Sequence, residues 1–294
     1  MGSLLSPPRH RQRPRNHQQT RRLGALLVCA GLALSACSAA PDTDRGADHA
    51  ASAPEDGAAT TAAPAVERLQ ARVVERLDYD ESLFTQGLEV GKDGNLLVGT
   101  GRYGESGVHR LVPGETSPQK STALADDQFG EGITRSGDTL WQLTWKSGTA
   151  LSFDADTLET TGSAEYSGEG WGLCDMGDRL ALSDGTSTLR FVDRDNFDEL
   201  DRVTVTLDGE EIDEINELEC VDGQIYANVW FSTDILRIDP ATGTVDAVID
   251  ASGLANNAAP NPDNVLNGIA HIPGTDEYYL TGKRWPDLYR VTFE

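Results

Sequence analysis

The stretch FGEGITRSGDTLWQLTWK, residues 129–146, decides the fold, because its pattern occurs five times along the chain. Each copy has a polar or aromatic residue beside glycine or glutamate, then an apolar residue, a Gly/Asp turn and an alternating strand. The blades of β-propellers repeat about every 40–50 residues, and the five copies are spaced by 40 to 51 residues. The other four copies are TQGLEVGKDGNLLVGTGR (85–102), GEGWGLCDMGDRLALSD (168–184), INELECVDGQIYANVW (215–230) and LNGIAHIPGTDEYYLTGK (266–283).

Further strands complete each repeat. A third strand follows, such as ALSFDADTLE (150–159) or ILRIDPATGTV (235–245), in which Asp, Pro and Gly residues indicate hairpin turns. A fourth strand leads to the next repeat. The strand ARVVERLDY (71–79) precedes the first repeat without a partner of its own, and we expect it to close the last blade. The sequence therefore predicts an all-β fold, a five-bladed β-propeller of four-stranded antiparallel blades.

The first 65 residues predict export and a tether. Residues 1–36 hold six arginines and no acid, with an apolar run too short to cross a bilayer, as is typical of a signal peptide. The tetrapeptide LSAC (34–37) resembles a bacterial lipobox, whose Cys37 becomes the lipidated first residue; ordinary signal cleavage nearby is the alternative. Residues 37–65 predict a disordered tether, because they lack aromatic and large aliphatic side chains. We expect an exported, extracytoplasmic protein that a lipid anchors to the outer face of the cell membrane, with its propeller domain at residues 66–294.

The chain is strongly acidic, with 48 Asp and Glu against 24 Lys and Arg and a formal net charge of −24. Removal of the predicted signal peptide makes it more acidic still. Such a surface excludes binding of nucleic acid through phosphates, which requires a basic face, and it favours a monomer. Attachment to a membrane then rests on the lipid alone.

Two cysteines, Cys174 and Cys220, lie within the predicted propeller domain. An export compartment permits disulfides. They form either a disulfide or two buried free thiols, and we favour the disulfide.

The repeats agree in backbone pattern but differ in chemistry where their strands begin and end. Propeller symmetry brings these equivalent positions to one mouth of the central channel. A purely structural repeat needs apolar residues there, so the divergence predicts a pocket to which all repeats contribute. The innermost strands begin at Gln86, Glu131, Trp171, Asn216 and Asn267, and the second strands end at Arg102, Trp145, Asp184, Trp230 and Lys283.

Eight short motifs occupy these positions: FTQGL (84–88), FGEGI (129–133), LTW (143–145), GWGL (170–173), NELE (216–219), ANVW (227–230), LNGIA (266–270) and TGKRW (281–285). Together they resemble the plant-type glutaminyl cyclases, also called glutamine cyclotransferases, which have bacterial members. The resemblance covers residues 80–294 and implies a five-bladed propeller. It also implies a pocket that contains Phe84, Gln86, Phe129, Glu131, Trp145, Trp171, Asn216, Trp230 and Lys283.

The resemblance further implies an enzyme, a glutaminyl-peptide cyclotransferase of the acyltransferase class, that acts on a peptide or protein with an N-terminal glutamine. The α-amine attacks the side-chain amide of the same residue, which gives pyroglutamate and ammonia. We assign general acid and base catalysis to Glu131. Lys283, Asn216 and the indole N–H groups are expected to donate hydrogen bonds to the carbonyl oxygen, and the tryptophans to form a cage. We expect no cofactor and no metal.

Two other functions stay open from the sequence. A metal-dependent propeller hydrolase, such as a lactonase, needs several carboxylates at the channel mouth, where we predict only Glu131 and Asp184. The histidines of the mature chain, His49, His109 and His271, are too scattered for a zinc site. A non-catalytic lipoprotein propeller that binds peptides in the same pocket is the second alternative.

Overall fold

The structure, a computed structural model, describes residues 65–294 and is all-β, with 22 strands and no helix in that range. The predicted signal peptide, tether and lipidated Cys37 lie outside the described residues. No helix long and apolar enough to cross a membrane occurs between residues 65 and 294.

After the N-terminal strand β1 (Glu67–Asp78) come three antiparallel sheets of four strands, each in chain order. The first contains β2 (Thr85–Val90), β3 (Leu96–Thr100), β4 (Gly107–Leu111) and β5 (Lys120–Ala123). The second contains β6 (Gly130–Ser136), β7 (Thr139–Thr144), β8 (Thr149–Asp154) and β9 (Thr160–Glu165). The third contains β10 (Leu173–Asp175), β11 (Leu180–Leu182), β12 (Thr188–Val192) and β13 (Glu199–Thr204).

The C-terminal part of the chain forms a small ribbon and a sheet of eight strands. The ribbon consists of β14 (Thr206–Leu207) and β15 (Glu210–Glu211). The remaining strands are β16 (Ile215–Val221), β17 (Gln224–Val229), β18 (Asp234–Ile238), β19 (Val245–Asp250), β20 (Leu266–His271), β21 (Glu277–Gly282) and β22 (Asp287–Phe293). Their order is β16-β17-β18-β19-β1-β22-β21-β20, so the N-terminal strand lies in the middle.

Strand β1 joins the two halves of the eight-stranded sheet. Its second part pairs antiparallel with β22 from Ala71 to Asp78, so the expected contact between the N-terminal strand and the last strand is present. Its first part, Glu67 to Gln70, pairs parallel with β19, and the prediction of purely antiparallel pairing is wrong there. The reason is length: twelve residues, at about 3.3 Å each, reach past β22 to the neighbouring strand.

The first strands of the sheets, β2, β6, β10, β16 and β20, contact one another in a closed cycle. Four hydrophobic cores lie between neighbouring sheets and a fifth lies within the eight-stranded sheet. Phe153 and Phe191 are fully buried in two of these cores. This propeller-like arrangement leaves no free edge at its centre. It also gathers the starts of the first strands around one channel.

A disulfide joins two of these first strands. Cys174 lies in β10 and Cys220 in β16, and their Cα atoms are 5.4 Å apart. Of the two alternatives that the sequence left open, the structure contains the bridge.

Candidate active site

β-Bulges position the candidate residues at the start of the first strands. The pairing register shifts between Thr85 and Gly87, Gly130 and Ile133, Ile215 and Leu218, and Leu266 and Ile269. A bulge leaves a residue unpaired and re-aims its side chain, and bulges are common beside active sites. Gln86, Glu131, Asn216 and Asn267 lie within these four irregular segments.

Glycines next to the candidate residues let neighbouring first strands approach closely. A Cβ atom on Gly87 would lie 2.4 Å from the backbone nitrogen of Ile133. One on Gly172 would lie 2.1 Å from the carbonyl oxygen of Asn216. Only glycine fits such an approach, so these glycines tighten the ring of first strands where the site is built.

A cavity of about 250 Å³ opens where the first strands begin. This is smaller than the roughly 300–1,000 Å³ of pockets for drug-sized ligands, so it fits a small group. All nine residues of the predicted pocket line it, together with two others. The lining residues are Phe84, Gln86, Arg102, Phe129, Glu131, Trp145, Trp171, Asn216, Trp230, Asp263 and Lys283.

Two positions that repeat symmetry placed at the channel mouth are absent from this lining. Asn267 is fully buried, and its Nδ2 donates a hydrogen bond to the carbonyl oxygen of Thr85 at 3.1 Å. Asp184 stabilises a turn, where its Oδ1 accepts a hydrogen bond from the Thr186 hydroxyl at 2.6 Å. Hydrogen bonds within the protein use both side chains, which position within the repeat does not reveal.

Glu131 and Lys283 are each only 5% exposed and face the same cavity. Burial raises the pKa of Glu131 well above its ordinary value, while the Lys283 ammonium opposes this and the Glu169 carboxylate adds to it. Burial lowers the pKa of Lys283, and the carboxylates of Glu131 and Asp263 oppose that shift. Among the described residues, no side chain holds the Glu131 carboxyl by a hydrogen bond. Its oxygens are therefore available to a substrate.

Aromatic rings form two walls of the cavity. On one side Phe129 makes edge contacts with Phe84 and Trp145, at centroid distances of 6.5 and 5.5 Å. On the other side Trp171 and Trp230 meet edge to face at 5.5 Å. Such walls exclude water and strengthen electrostatic interactions inside the cavity.

Glu169 holds two of the cage tryptophans, although the sequence did not predict it. Its Oε2 accepts hydrogen bonds from the indole nitrogens of Trp145 at 2.7 Å and Trp171 at 3.1 Å. Its Oε1 lies 3.4 Å from Lys146 Nζ. Partial burial acts to raise the pKa of Glu169, but these hydrogen bonds and the Lys146 charge together lower it.

This finding corrects one expectation. We expected the indole N–H groups of the cage to donate hydrogen bonds to the substrate. This expectation is wrong for Trp145 and Trp171, because both of their N–H groups donate to Glu169. The sequence did contain a signal for Glu169. Glu169 precedes Trp171 by two positions, just as Phe84 precedes Gln86 and Phe129 precedes Glu131.

Polar groups complete the site. Gln86 is 3% exposed, and its Oε1 has no hydrogen-bond partner among the described residues, so it can accept one from a substrate. At the mouth, Arg102 Nη2 and Asp263 Oδ2 are 3.8 Å apart, and the Arg102 guanidinium lies 4.6 Å over the Phe84 ring. Asp263 lies between β19 and β20, outside the repeat, which is why the sequence pattern missed it.

The part of the chain that the structure describes contains no group of three or more His, Cys, Asp or Glu side chains placed to hold a metal ion. His109 shares hydrogen bonds with Thr100 and Ser121, and His271 bonds the carbonyl oxygen of Thr275.

Comparison with known proteins identifies the family. The profile of glutamine cyclotransferase matches residues 47–293. A glutaminyl-peptide cyclotransferase of Arabidopsis thaliana is 34% identical over 223 residues, which are 74% of this chain and 70% of that protein. A crystal structure of Myxococcus xanthus glutaminyl cyclase is similar with a TM-score of 0.74 and 38% sequence identity, over 78% of this chain and 98% of that one. The chain therefore belongs to the glutamine cyclotransferase family of enzymes.

Proposed function

We propose that this protein converts the N-terminal glutamine of a peptide or protein to pyroglutamate and releases ammonia in the cavity described above. The observation that carries the proposal is a buried carboxyl, Glu131, and a buried amine, Lys283, that face one small aromatic cage. The names of the relatives from Arabidopsis thaliana and Myxococcus xanthus support this activity.

Glu131 moves a proton between the two nitrogens of the substrate. The α-ammonium, with an ordinary pKa of about 7.7–8.0, loses a proton to Glu131 before its nitrogen attacks the side-chain amide carbon. Burial raises the pKa of Glu131 well above its ordinary value, which makes the carboxylate a stronger base. The new C–N bond closes the five-membered ring. Glu131 then gives the proton to the amide nitrogen, and the old C–N bond breaks. Glu131 takes the second proton from the ring nitrogen and passes it to the departing ammonia, which leaves as ammonium.

Other residues bind and orient the reacting groups. Lys283, Asn216 and the indole N–H of Trp230 donate hydrogen bonds to the amide oxygen as it gains negative charge, each worth about 2.7–4 kcal/mol in acyl-transfer enzymes. The free Oε1 of Gln86 accepts a hydrogen bond from the α-amine. Because amine and amide belong to one residue, the aromatic walls mainly have to hold its cyclic conformer.

Ammonia release from a dipeptide that begins with glutamine tests the activity and the role of Glu131 together. Glu131→Gln should lower kcat by about 10²–10⁴-fold, as expected for loss of general acid–base catalysis, and change KM much less. Glu115→Gln, in an exposed loop, is the matched control and should keep wild-type kinetics. A Glu131→Gln protein that melts normally and turns over near the wild-type rate would show that the carboxyl is only structural.

Chelation separates this reaction from that of a metal-dependent hydrolase. The proposed mechanism uses only side chains of the cavity, so ammonia release should survive exhaustive treatment with a chelator. Activity that is lost in chelator and restored by zinc or calcium would instead favour the hydrolase alternative.

We also propose that the ring has five blades. The eight-stranded sheet is then two four-stranded blades, β16–β19 and β20–β22 with β1, which are fused because β1 pairs with both β19 and β22. The closed cycle of first strands supports this count. An experimental structure with a different number of four-stranded units around the channel would overturn it.

We further propose that residues 66–294 are a monomeric catalytic domain, exported and anchored to the outer face of the membrane by a lipid on Cys37. The arginine-rich start and the motif LSAC (34–37) support this. Cys37→Ala should move the protein from the membrane fraction to the soluble one, where it should sediment as a single chain and release ammonia. Cys29→Ala, within the apolar run, is the control and should stay in the membrane fraction. Retention of the Cys37→Ala protein in the membrane sinks the proposal.

A further inference from the structure

Exposed aromatic side chains extend the walls of the cavity outwards. Among residues 65–294, the strongly exposed large apolar side chains are Val73, Val74, Tyr103, Leu200 and Phe231. Three of these lie in β1 and β13 and do not line the cavity. The other two are 54% (Tyr103) and 60% (Phe231) exposed, and each directly follows a residue that lines the cavity.

Each of the two rings packs on an aromatic wall. The Tyr103 ring meets the edge of Phe129 at a centroid distance of 5.4 Å. The Phe231 ring stacks on Trp230 at 4.3 Å. Tyr103 follows β3 and Phe231 follows β17, so the rings come from different sheets and continue different walls.

The backbone of Phe231 indicates that this ring is not there for stability. Its φ of 62° lies in the left-handed region, which is unfavourable for a bulky residue. In the third sheet the equivalent position after the second strand is Gly185, with a φ of 81°, a conformation that glycine adopts without strain. The phenyl ring of Phe231 is 60% exposed on this backbone and is therefore available to contact a ligand.

We propose that Tyr103 and Phe231 form a binding subsite for the residue that follows the N-terminal glutamine, and that this subsite selects an apolar or aromatic side chain. The proposal rests on the proposed function. The cavity holds one small residue, so the rest of the peptide must leave through the mouth beside these rings. Flat exposed rings bind apolar and aromatic side chains by burial and by edge or stacked contacts.

The charged side chains around the mouth form ion pairs with one another. This agrees with a preference for an apolar second residue in the substrate. Arg102 lies 3.8 Å from Asp263, and Arg284 Nη2 lies 2.6 Å from Glu105 Oε2. A charged second residue would have to compete with these pairs, whereas an apolar one contacts only the rings.

Ammonia release from Gln-Phe and Gln-Gly, which differ only in the second side chain, tests the proposal. The wild type should have the higher kcat/KM on Gln-Phe. Phe231→Gly and Tyr103→Ala should each lower the ratio of kcat/KM for Gln-Phe to that for Gln-Gly by about fivefold, the factor for loss of one aromatic contact. Leu200→Ala removes an equally exposed apolar side chain from β13 and should leave the ratio unchanged.

Thermal melting separates this role from a structural one. Phe231→Gly should melt at or above the wild-type temperature, because glycine relieves the left-handed backbone. A ratio that stays at the wild-type value in both variants overturns the subsite, and so does an equal loss on both dipeptides with a lowered Tm. If the wild type releases no ammonia from either dipeptide, the proposed function fails as well. Turnover without discrimination overturns the subsite alone.

Discussion

Glu131 and Lys283 share one buried cavity, and each changes the proton affinity of the other. Burial disfavours the charged form of both groups, so it raises the pKa of the carboxyl and lowers that of the amine. The positive charge on Lys283 opposes the effect of burial on Glu131. The lysine therefore does more than bind: it helps to keep the carboxylate available as a base.

Removal of that charge should shift the pH dependence of catalysis. In Lys283→Met no ammonium opposes the effect of burial on Glu131. The pKa of Glu131 should therefore rise further. A base must be deprotonated to act, and the acidic limb of the profile of kcat/KM against pH should move to higher pH. Lys283→Arg keeps a positive charge and should keep the limb near its wild-type position. The same Gln-Gly substrate is used throughout, so its own amine contributes equally. An unshifted limb in Lys283→Met would show that the lysine does not act on this carboxyl.

Single residues also show how far sequence reasoning reaches. The nine pocket residues could be predicted because each occupies a repeat position that carries a family motif. Asp263 could not be predicted, since it lies in a loop without a counterpart in other repeats. Glu169 stands in register with two cavity phenylalanines, but a lone glutamate between glycines resembles a solvated turn. Its role depends on hydrogen bonds to Trp145 and Trp171, which only three-dimensional contacts reveal.

The first strands combine close packing with irregular pairing. Their bulges turn polar side chains into the channel, while glycines bring neighbouring strands within contact of each other's backbone. The alternating pattern predicted that the strands exist and where they lie. It did not predict the bulges, because one extra residue in a strand changes pairing without changing composition.

Gly172→Ala tests the close approach of β10 and β16. The added Cβ would lie 2.1 Å from the carbonyl oxygen of Asn216, a backbone atom that cannot rotate away. Overpacking of this kind costs about 1–3 kcal/mol, and Tm should fall by about 2–4 °C for each kcal/mol in a domain of this size. Because Asn216 lines the cavity, kcat/KM should fall too.

A matched glycine provides the control for this experiment. Gly253 has no atom within 4 Å of an added Cβ and no positive φ, so Gly253→Ala should be neutral or slightly stabilising. If Gly172→Ala melts like Gly253→Ala, the strands are not held by backbone contact at this point.

Buried and half-buried carboxylates tie the first strands together across the whole molecule. Glu217 in β16 accepts hydrogen bonds from the backbone nitrogens of Leu88 at 3.2 Å and Ile269 at 2.9 Å, which belong to two other first strands. Glu89 in β2 accepts one from Arg135 of β6 at 2.7 Å. The closed cycle of strands was predictable from the repeat, but these cross-links were not. Alternation identifies which face of a strand a glutamate occupies, not which backbone it meets across the channel.

These carboxylates make the stability of the ring depend on pH. Burial is the main cause that raises the pKa of Glu89 from 4.5 to about 8, and the hydrogen bond from Arg135 only partly opposes it. Between these two pH values the folded state binds a proton that the unfolded state has lost, so the unfolding free energy falls as pH rises. The contribution of Glu89 is fully present below pH 4.5 and is lost as pH rises to about 8.

Glu89→Gln should remove this part of the pH dependence. The variant retains a carbonyl oxygen that accepts the hydrogen bond from Arg135 but has no proton to exchange. Denaturant unfolding at several pH values between 5 and 8 should therefore show a smaller loss of stability with rising pH than in the wild type. Glu115→Gln, in an exposed loop, should reproduce the wild-type slope, because it leaves the channel unchanged. Glu89→Gln also removes a charge that raises the pKa of Glu217 and of Glu219, so the difference in slope reports Glu89 together with its effect on these two carboxyls. Equal slopes for Glu89→Gln and the wild type would mean that this carboxyl is already ionised in the folded ring, and that its hydrogen bond to β6 outweighs its burial.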